Sequence, residues 1–230
     1  MKNLFATVLV CVFGASFSLH AQEKAKPVVS ILGDSYSTFD GYIPQGNESW
    51  YFTKPVNNRT DVVDVKQTWW WQLISEGGYI LGENDSYSGA TISYTGYNGE
   101  DYSHRSFITR LPRLGSPDIL LIFGATNDNW AKSPLGEYLY ENVSRESLFE
   151  FRPALGKLLS EARNHYPGTR IVFIVNTELR PEIVSSIKEV CGHYGVEYIE
   201  LRDIDKRNGH PSIKGMKQIK TQILNFIKKQ

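Results

Sequence analysis

The chain has 230 residues, with 25 Lys and Arg against 25 Asp and Glu, 41% hydrophobic and 13% aromatic residues. That length suits a single domain with a sizeable core, and this hydrophobic content excludes a disordered chain. Balanced charge leaves no basic footprint for nucleic acid or an anionic membrane surface, and two cysteines without a CxxC or Cys/His cluster exclude a disulfide scaffold and a zinc site.

Residues 1–21 read as a signal peptide. Lys2 precedes an apolar run through Leu4, Phe5, Val8, Leu9, Val10, Val12 and Phe13, and Ala21 stands before the polar Gln22. The run is too short for a membrane span of ~20 residues, and a small residue before a polar one suits a cleavage site. Cleavage after Ala21 leaves residues 22–230 as one secreted or periplasmic domain, with no stable membrane insertion. It also removes Cys11, so that Cys191 stands alone and no intramolecular disulfide can form.

Val28 to Leu32, ended by Gly33, reads as a strand buried on both faces. Ile119 to Phe123, ended by Gly124, and Ile171 to Val175, ended by Asn176, repeat it. Tyr79 to Leu81 and Val196 to Ile199 are fainter strands. Between them lie apolar stripes at helical spacing. Trp70, Leu73, Ile74 and Gly77 share one face; Leu148, Phe151, Leu155, Leu158, Leu159 and Ala162 form another, with Pro153 either kinking that helix or marking its start. Pro181 opens a helix carrying Ile183, Ile187, Val190 and a buried Cys191, and Gly195 follows its end. Ile213, Met216, Ile219, Ile223 and Ile227 line the last helix. This alternation predicts a three-layer α/β/α domain with a mostly parallel sheet, whose ligands bind beyond the carboxyl ends of the strands. Residues 39–66 form an aperiodic loop rich in Gly, Asn, Pro and aromatics, long enough to be functional.

The polar segments at that edge suggest acyl transfer. Gly33-Asp34-Ser35 follows the first strand, Ser88-Gly89-Ala90 the second, and Gly124-Ala125-Thr126-Asn127-Asp128 the third, while His210-Pro211-Ser212 precedes the last helix. A serine needs a base to accept its proton, and His210 supplies one. The Ser35 and Gly89 amides and the Asn127 side chain are candidate oxyanion donors. An unperturbed imidazole would place the acid limb of activity at pH ~6–7.

In these blocks the chain resembles the SGNH hydrolase superfamily, the GDSL esterase/lipase family, over essentially all of residues 28–230. The resemblance implies a flavodoxin-like five-stranded sheet, Ser35 as nucleophile, His210 as base, and Ser35, Gly89 and Asn127 as the oxyanion hole. It departs at one position. The family usually places an Asp three residues before the histidine, where this chain has Arg207, which cannot accept a hydrogen bond. Asp205 is the preferred substitute, with Asp203 or a backbone carbonyl as alternatives.

Aromatics crowd the intervals between the blocks, among them Tyr42, Trp50, Tyr97, Tyr102 and Trp130. Their apolar faces and polar rims suit sugar rings, so residues 39–66 are a candidate sugar platform and Trp130 a candidate substrate contact beside the oxyanion hole. The expected activity is serine-dependent hydrolysis of an acetyl or other short acyl ester on a small-molecule or polysaccharide carbohydrate, without metal or cofactor. A lipase or lysophospholipase, and a non-catalytic glycan-binding module, are the alternatives.

Overall fold

The computed structural model describes residues 25–54 and 56–229. The expected signal peptide and its cleavage site lie outside the described residues. The chain runs β1 (Val28–Gly33), α1 (Trp69–Gly77), β2 (Ile80–Ser86), α2 (Phe107–Arg110), β3 (Ile119–Gly124), α3 (Thr126–Trp130), α4 (Phe151–His165), β4 (Arg170–Val175), α5 (Pro181–Tyr194), β5 (Glu197–Glu200), β6 (Lys206–Arg207), β7 (His210–Pro211) and α6 (Ile213–Lys228).

Five parallel strands form the main sheet in the order β2-β1-β3-β4-β5. Alternation along the strands divides their apolar side chains between two layers. Leu32, Leu120, Ile122, Ile171 and Phe173 pack with residues of α4 and α5. Ile31, Leu121, Phe123, Val172 and Ile174 pack on the other side with residues of α1 and α6. The three-layer, flavodoxin-like architecture expected from the sequence is therefore the one observed.

The two faint strands are the edge strands. β2 carries Gly82, Glu83, Asn84 and Asp85, and β5 begins and ends on Glu, because an edge strand need not be apolar on both faces. Pro153 falls in the first turn of α4, where a missing N–H costs no helical hydrogen bond, so it marks the start of the helix and does not kink it. Trp69 and Trp70 are fully buried core residues. Cys191 is buried as well, and that burial pushes its thiol up to about 12, where it stays protonated. Among the described residues no helix is long and apolar enough to cross a membrane.

Strand order reverses between β1 and β3, which lie side by side while their connections leave in opposite directions. That divergence opens a crevice beyond their carboxyl ends. Gly33 lies level with Ser86 of β2 and Phe123 of β3, so the polar segments after all three strands emerge at one edge.

Candidate active site

The first of these segments is a tight turn. A Cβ on Gly33 would lie 2.6 Å from the Ser37 Cβ, so only glycine lets the chain close here. Asp34 Oδ1 accepts the Tyr36 N–H at 3.0 Å and caps the short 3-10 turn that carries Ser35. Burial pushes the Asp34 carboxyl up to about 7.

His210 reaches this turn from a small hairpin. β6 and β7 are antiparallel, with Arg207 opposite His210 and Asn208-Gly209 as the two-residue loop. Both loop residues have positive φ (51° and 75°), as the favoured two-residue hairpin turn with Asn-Gly requires. His210 Nε2 lies 2.9 Å from Ser35 Oγ, and its Nδ1 lies 3.1 Å from the Asn208 carbonyl oxygen. A carbonyl only accepts, so the Nδ1 contact requires the proton there and leaves the Nε2 lone pair facing the serine hydroxyl.

The expected contact between Asp205 and His210 is not made. Asp205 Oδ2 accepts from the Ser212 hydroxyl, while its backbone oxygen accepts the Ser212 N–H at 3.1 Å. Ser212 caps α6, so Asp205 is tied to the start of that helix and not to the imidazole. Asp203 is exposed, as is Arg207. Of the three candidates, the Asn208 backbone carbonyl is the one that meets His210 Nδ1.

Across the crevice, Asn127 lies in α3, whose N-terminus is shaped by Ala125 at φ 72°, a left-handed conformation uncommon for a non-glycine residue. Asn127 Nδ2 donates to the Ala90 carbonyl at 2.9 Å, and its Oδ1 accepts from the Tyr97 hydroxyl at 2.7 Å. These two contacts fix the amide and leave one N–H of Nδ2 uncommitted. Gly89 has φ 81°, so its backbone conformation, more than lack of room for a Cβ, calls for glycine. Among the described residues the Ser35 and Gly89 amides have no hydrogen-bond acceptor. Asp128, next to Asn127, is structural. It accepts from Ile92 N at 2.8 Å and from Ser93 N at 2.9 Å, holding the segment after Gly89 against α3.

A family model described as GDSL-like Lipase/Acylhydrolase matches residues 27–227. The chain belongs to this family. It is 53% identical to a protein from Bacteroides ovatus assigned as a GDSL-like lipase, covering 90% of this chain and 100% of that one with a TM-score of 0.88. A second such protein, from Bacteroides uniformis, is 47% identical over 90% of this chain and 98% of that one, also at 0.88. A carbohydrate acetylesterase from Sinorhizobium meliloti shares the fold at 18% identity and a TM-score of 0.62, covering 89% and 99% of the two chains. No curated protein matches the chain.

In this GDSL-like ester hydrolase the long loop of residues 39–66 closes over the histidine. Trp50 stacks on the His210 ring, centroids 3.6 Å apart and planes 7° from parallel. The Arg59 guanidinium covers the other face of the indole at 4.1 Å from its centroid. Both faces of Trp50 are therefore occupied, and the sugar platform expected of this loop is not found at this residue. The loop instead grips the hairpin. Asn208 Nδ2 donates to the Arg59 carbonyl at 2.9 Å, the Tyr51 hydroxyl to the Pro211 carbonyl at 3.0 Å, and the Ile213 N–H to Asp61 Oδ1 at 3.1 Å. The Tyr36 hydroxyl donates to the Gly209 carbonyl. Burial under these groups pulls the His210 imidazole down to about 4, with the charges of Arg59 and Lys206 acting in the same direction.

Trp130 meets His210 edge-on at 5.6 Å and remains 41% exposed, which leaves it able to face a ligand. The sequence reading overlooked Trp50 as a partner of the histidine, and nothing in its position announces that role. It also overlooked the Asn208-Gly209 turn, although Asn-Gly between short extended segments is a strong hairpin signal. No group of three or more His, Cys, Asp or Glu side chains poised to hold a metal occurs among the described residues.

Proposed function

We propose that the protein hydrolyses acetyl or other short acyl esters of carbohydrates through an acyl-enzyme on Ser35. The observation that carries this reading is the 2.9 Å contact from Ser35 Oγ to a His210 Nε2 whose tautomer is set by the Asn208 carbonyl. As Ser35 Oγ bonds to the ester carbon, its proton passes to Nε2. The carbonyl oxygen takes up the electron pair and faces the Ser35 and Gly89 N–H groups and the free N–H of Asn127 Nδ2. Collapse returns that pair, breaks the bond to the alcohol oxygen and sends the proton from Nε2 to the leaving alcohol. Water then attacks the acyl carbon, again with His210 as base, and releases the acid and Ser35.

Without a carboxylate at Nδ1, the imidazolium formed midway relies on the Asn208 carbonyl. The exposed Trp130 beside the histidine supports a sugar as the alcohol, and the fold shared with a carbohydrate acetylesterase agrees with that choice. The pattern of residues 1–21 supports export, to the periplasm or beyond the cell.

Hydrolysis of p-nitrophenyl acetate by residues 22–230, beside the Ser35→Ala variant, tests the reaction. Turnover is expected to fall by at least ~10³ in the variant, the scale on which a nucleophile acts. Equal rates in both proteins would remove Ser35 from the chemistry. Binding of acetylated oligosaccharides by both proteins, with no ester turnover in either, would instead favour a glycan-binding module.

A further inference from the structure

The oxyanion side of the site holds a cation that ester hydrolysis itself does not use. Arg105 lies in the segment between β2 and α2, and a Cβ built on Gly89 would come within 3.8 Å of its Nη1. The guanidinium lies over the Tyr102 ring, 3.7 Å from the centroid, and 5.4 Å from that of Tyr87. Tyr102 in turn packs against Tyr97, whose hydroxyl holds Asn127. Arg105 is thus connected by ring contacts to one proposed oxyanion donor and lies beside another.

It has no anion of its own. Among the described residues Arg105 makes no ion pair, and its Nε is buried without a hydrogen-bond partner. The carboxylates of Asp85 and Asp101, in neighbouring segments, are already committed. Asp85 is shared by Arg110 at 3.4 Å and Arg113 at 4.0 Å, and Asp101 is bound by Arg145 at 3.2 Å. A part-buried guanidinium stripped of some water and given no acceptor gains much from an incoming anion, because charge-assisted hydrogen bonds are the stronger kind. The flanking tyrosines hold its fork in one plane, so less conformational freedom is lost when the anion arrives.

We propose that Arg105 forms an anion subsite beside the oxyanion hole, which selects esters carried by acidic sugars. The subsite rests on the carbohydrate-esterase reading and narrows its substrate class. A carboxylate, as on a uronic acid, matches the two-pronged guanidinium, and a sugar sulfate offers similar oxygen geometry.

The test compares kcat/KM for an O-acetylated galacturonic acid with that for its methyl ester, which has the same sugar without the charge. A charge-assisted contact should favour the free acid by about 10- to 100-fold, and Arg105→Gln should bring that ratio close to one. An acetylated galactose 6-sulfate preferred over acetylated galactose, with no preference for the uronate, would identify sulfate as the anion. Equal rates for the charged and neutral members of both pairs in the unmodified protein would overturn the subsite, whether or not Arg105→Gln folds. Calorimetric binding of galacturonate, galactose 6-sulfate and galactose to Ser35→Ala separates this inference from the one beneath it. Preference of Ser35→Ala for an acidic sugar, with no ester turnover by the unmodified protein, would leave the anion subsite standing and sink the esterase reading. Turnover of neutral acetyl sugars with no such preference would do the reverse.

Discussion

At His210, the base of the proposed mechanism, the environment of one ring sets the expected working pH range. The base is active when Nε2 is unprotonated, so activity is lost as pH falls through the histidine's pKa and is flat above it until another group intervenes. Burial under Trp50 places that pKa at about 4, where the sequence alone suggested pH ~6–7. The difference is easily measured. At pH 5 a pKa of 4 leaves ~90% of the imidazole neutral, whereas a pKa of 6.5 leaves only ~3%. The kcat/KM profile should therefore remain near its plateau at pH 5. Trp50→Ala, which opens a ring face to water, should move the limb one to two units upward. Recovery of activity on return to pH 7 would separate titration from acid unfolding. A limb near 6.5 in the unmodified protein, or one unmoved by Trp50→Ala, would show that this stack does not govern the base.

At the level of elements, the proposed mechanism gives the hairpin of β6 and β7 the work that a third side chain does in a triad. Its Asn-Gly turn brings the Asn208 carbonyl to His210 Nδ1 from two residues away, residues 36, 51 and 59 fasten it from the other side, and Asp61 holds the start of α6 that follows it. A carbonyl has no signature in a sequence, which prints only side chains, so the sequence points instead to the nearby acid Asp205. That Ser35, Gly89, Asn127 and His210 meet at one edge of the sheet was legible because each follows a strand or precedes a helix, where topology makes position informative. Trp50 was not, because its stack depends on where an aperiodic loop comes to rest. Asp205 has a different task. A Cβ on Gly215 would collide with the Asp205 carbonyl, so that loop lies directly against the first turn of α6. Asp205→Asn should then change kcat less than ~3-fold. It should lower Tm by ~2–4 °C, the effect of about 1 kcal/mol from one hydrogen bond in a domain of this size. A fall in kcat of ~10³ or more, as seen when a triad acid is lost, would restore Asp205 as the residue acting on His210.

Across the whole molecule, the central sheet was legible from three unbroken apolar strands and its edges only faintly, because β2 and β5 carry charged residues that interrupt their apolar runs. β2 ends in a feature on which the site's rim depends. Arg110 and Asp85 are both fully buried, and the guanidinium donates to the Asp85 backbone carbonyl and, at 3.4 Å, to its carboxylate. Asn47 Nδ2 joins the same carboxylate at 2.9 Å, and Arg110 Nε donates to the Arg105 carbonyl at 2.8 Å. One pair therefore gathers the long loop, the end of β2 and the segment carrying Arg105. Burial pulls Arg110 down only to about 10, so it stays charged at neutral pH and Asp85 keeps its counter-ion. The net worth of such a pair is small beside the cost of breaking it, because the survivor is left charged in a dry interior. Arg110→Met should thus lower unfolding stability by ~3–5 kcal/mol in urea titration, and adding Asp85→Asn to that variant should recover part of the loss. A single variant within ~1 kcal/mol of the parent would mean that Arg113, 4.0 Å from Asp85, or water compensates the carboxylate, and that Arg110 does not hold the rim.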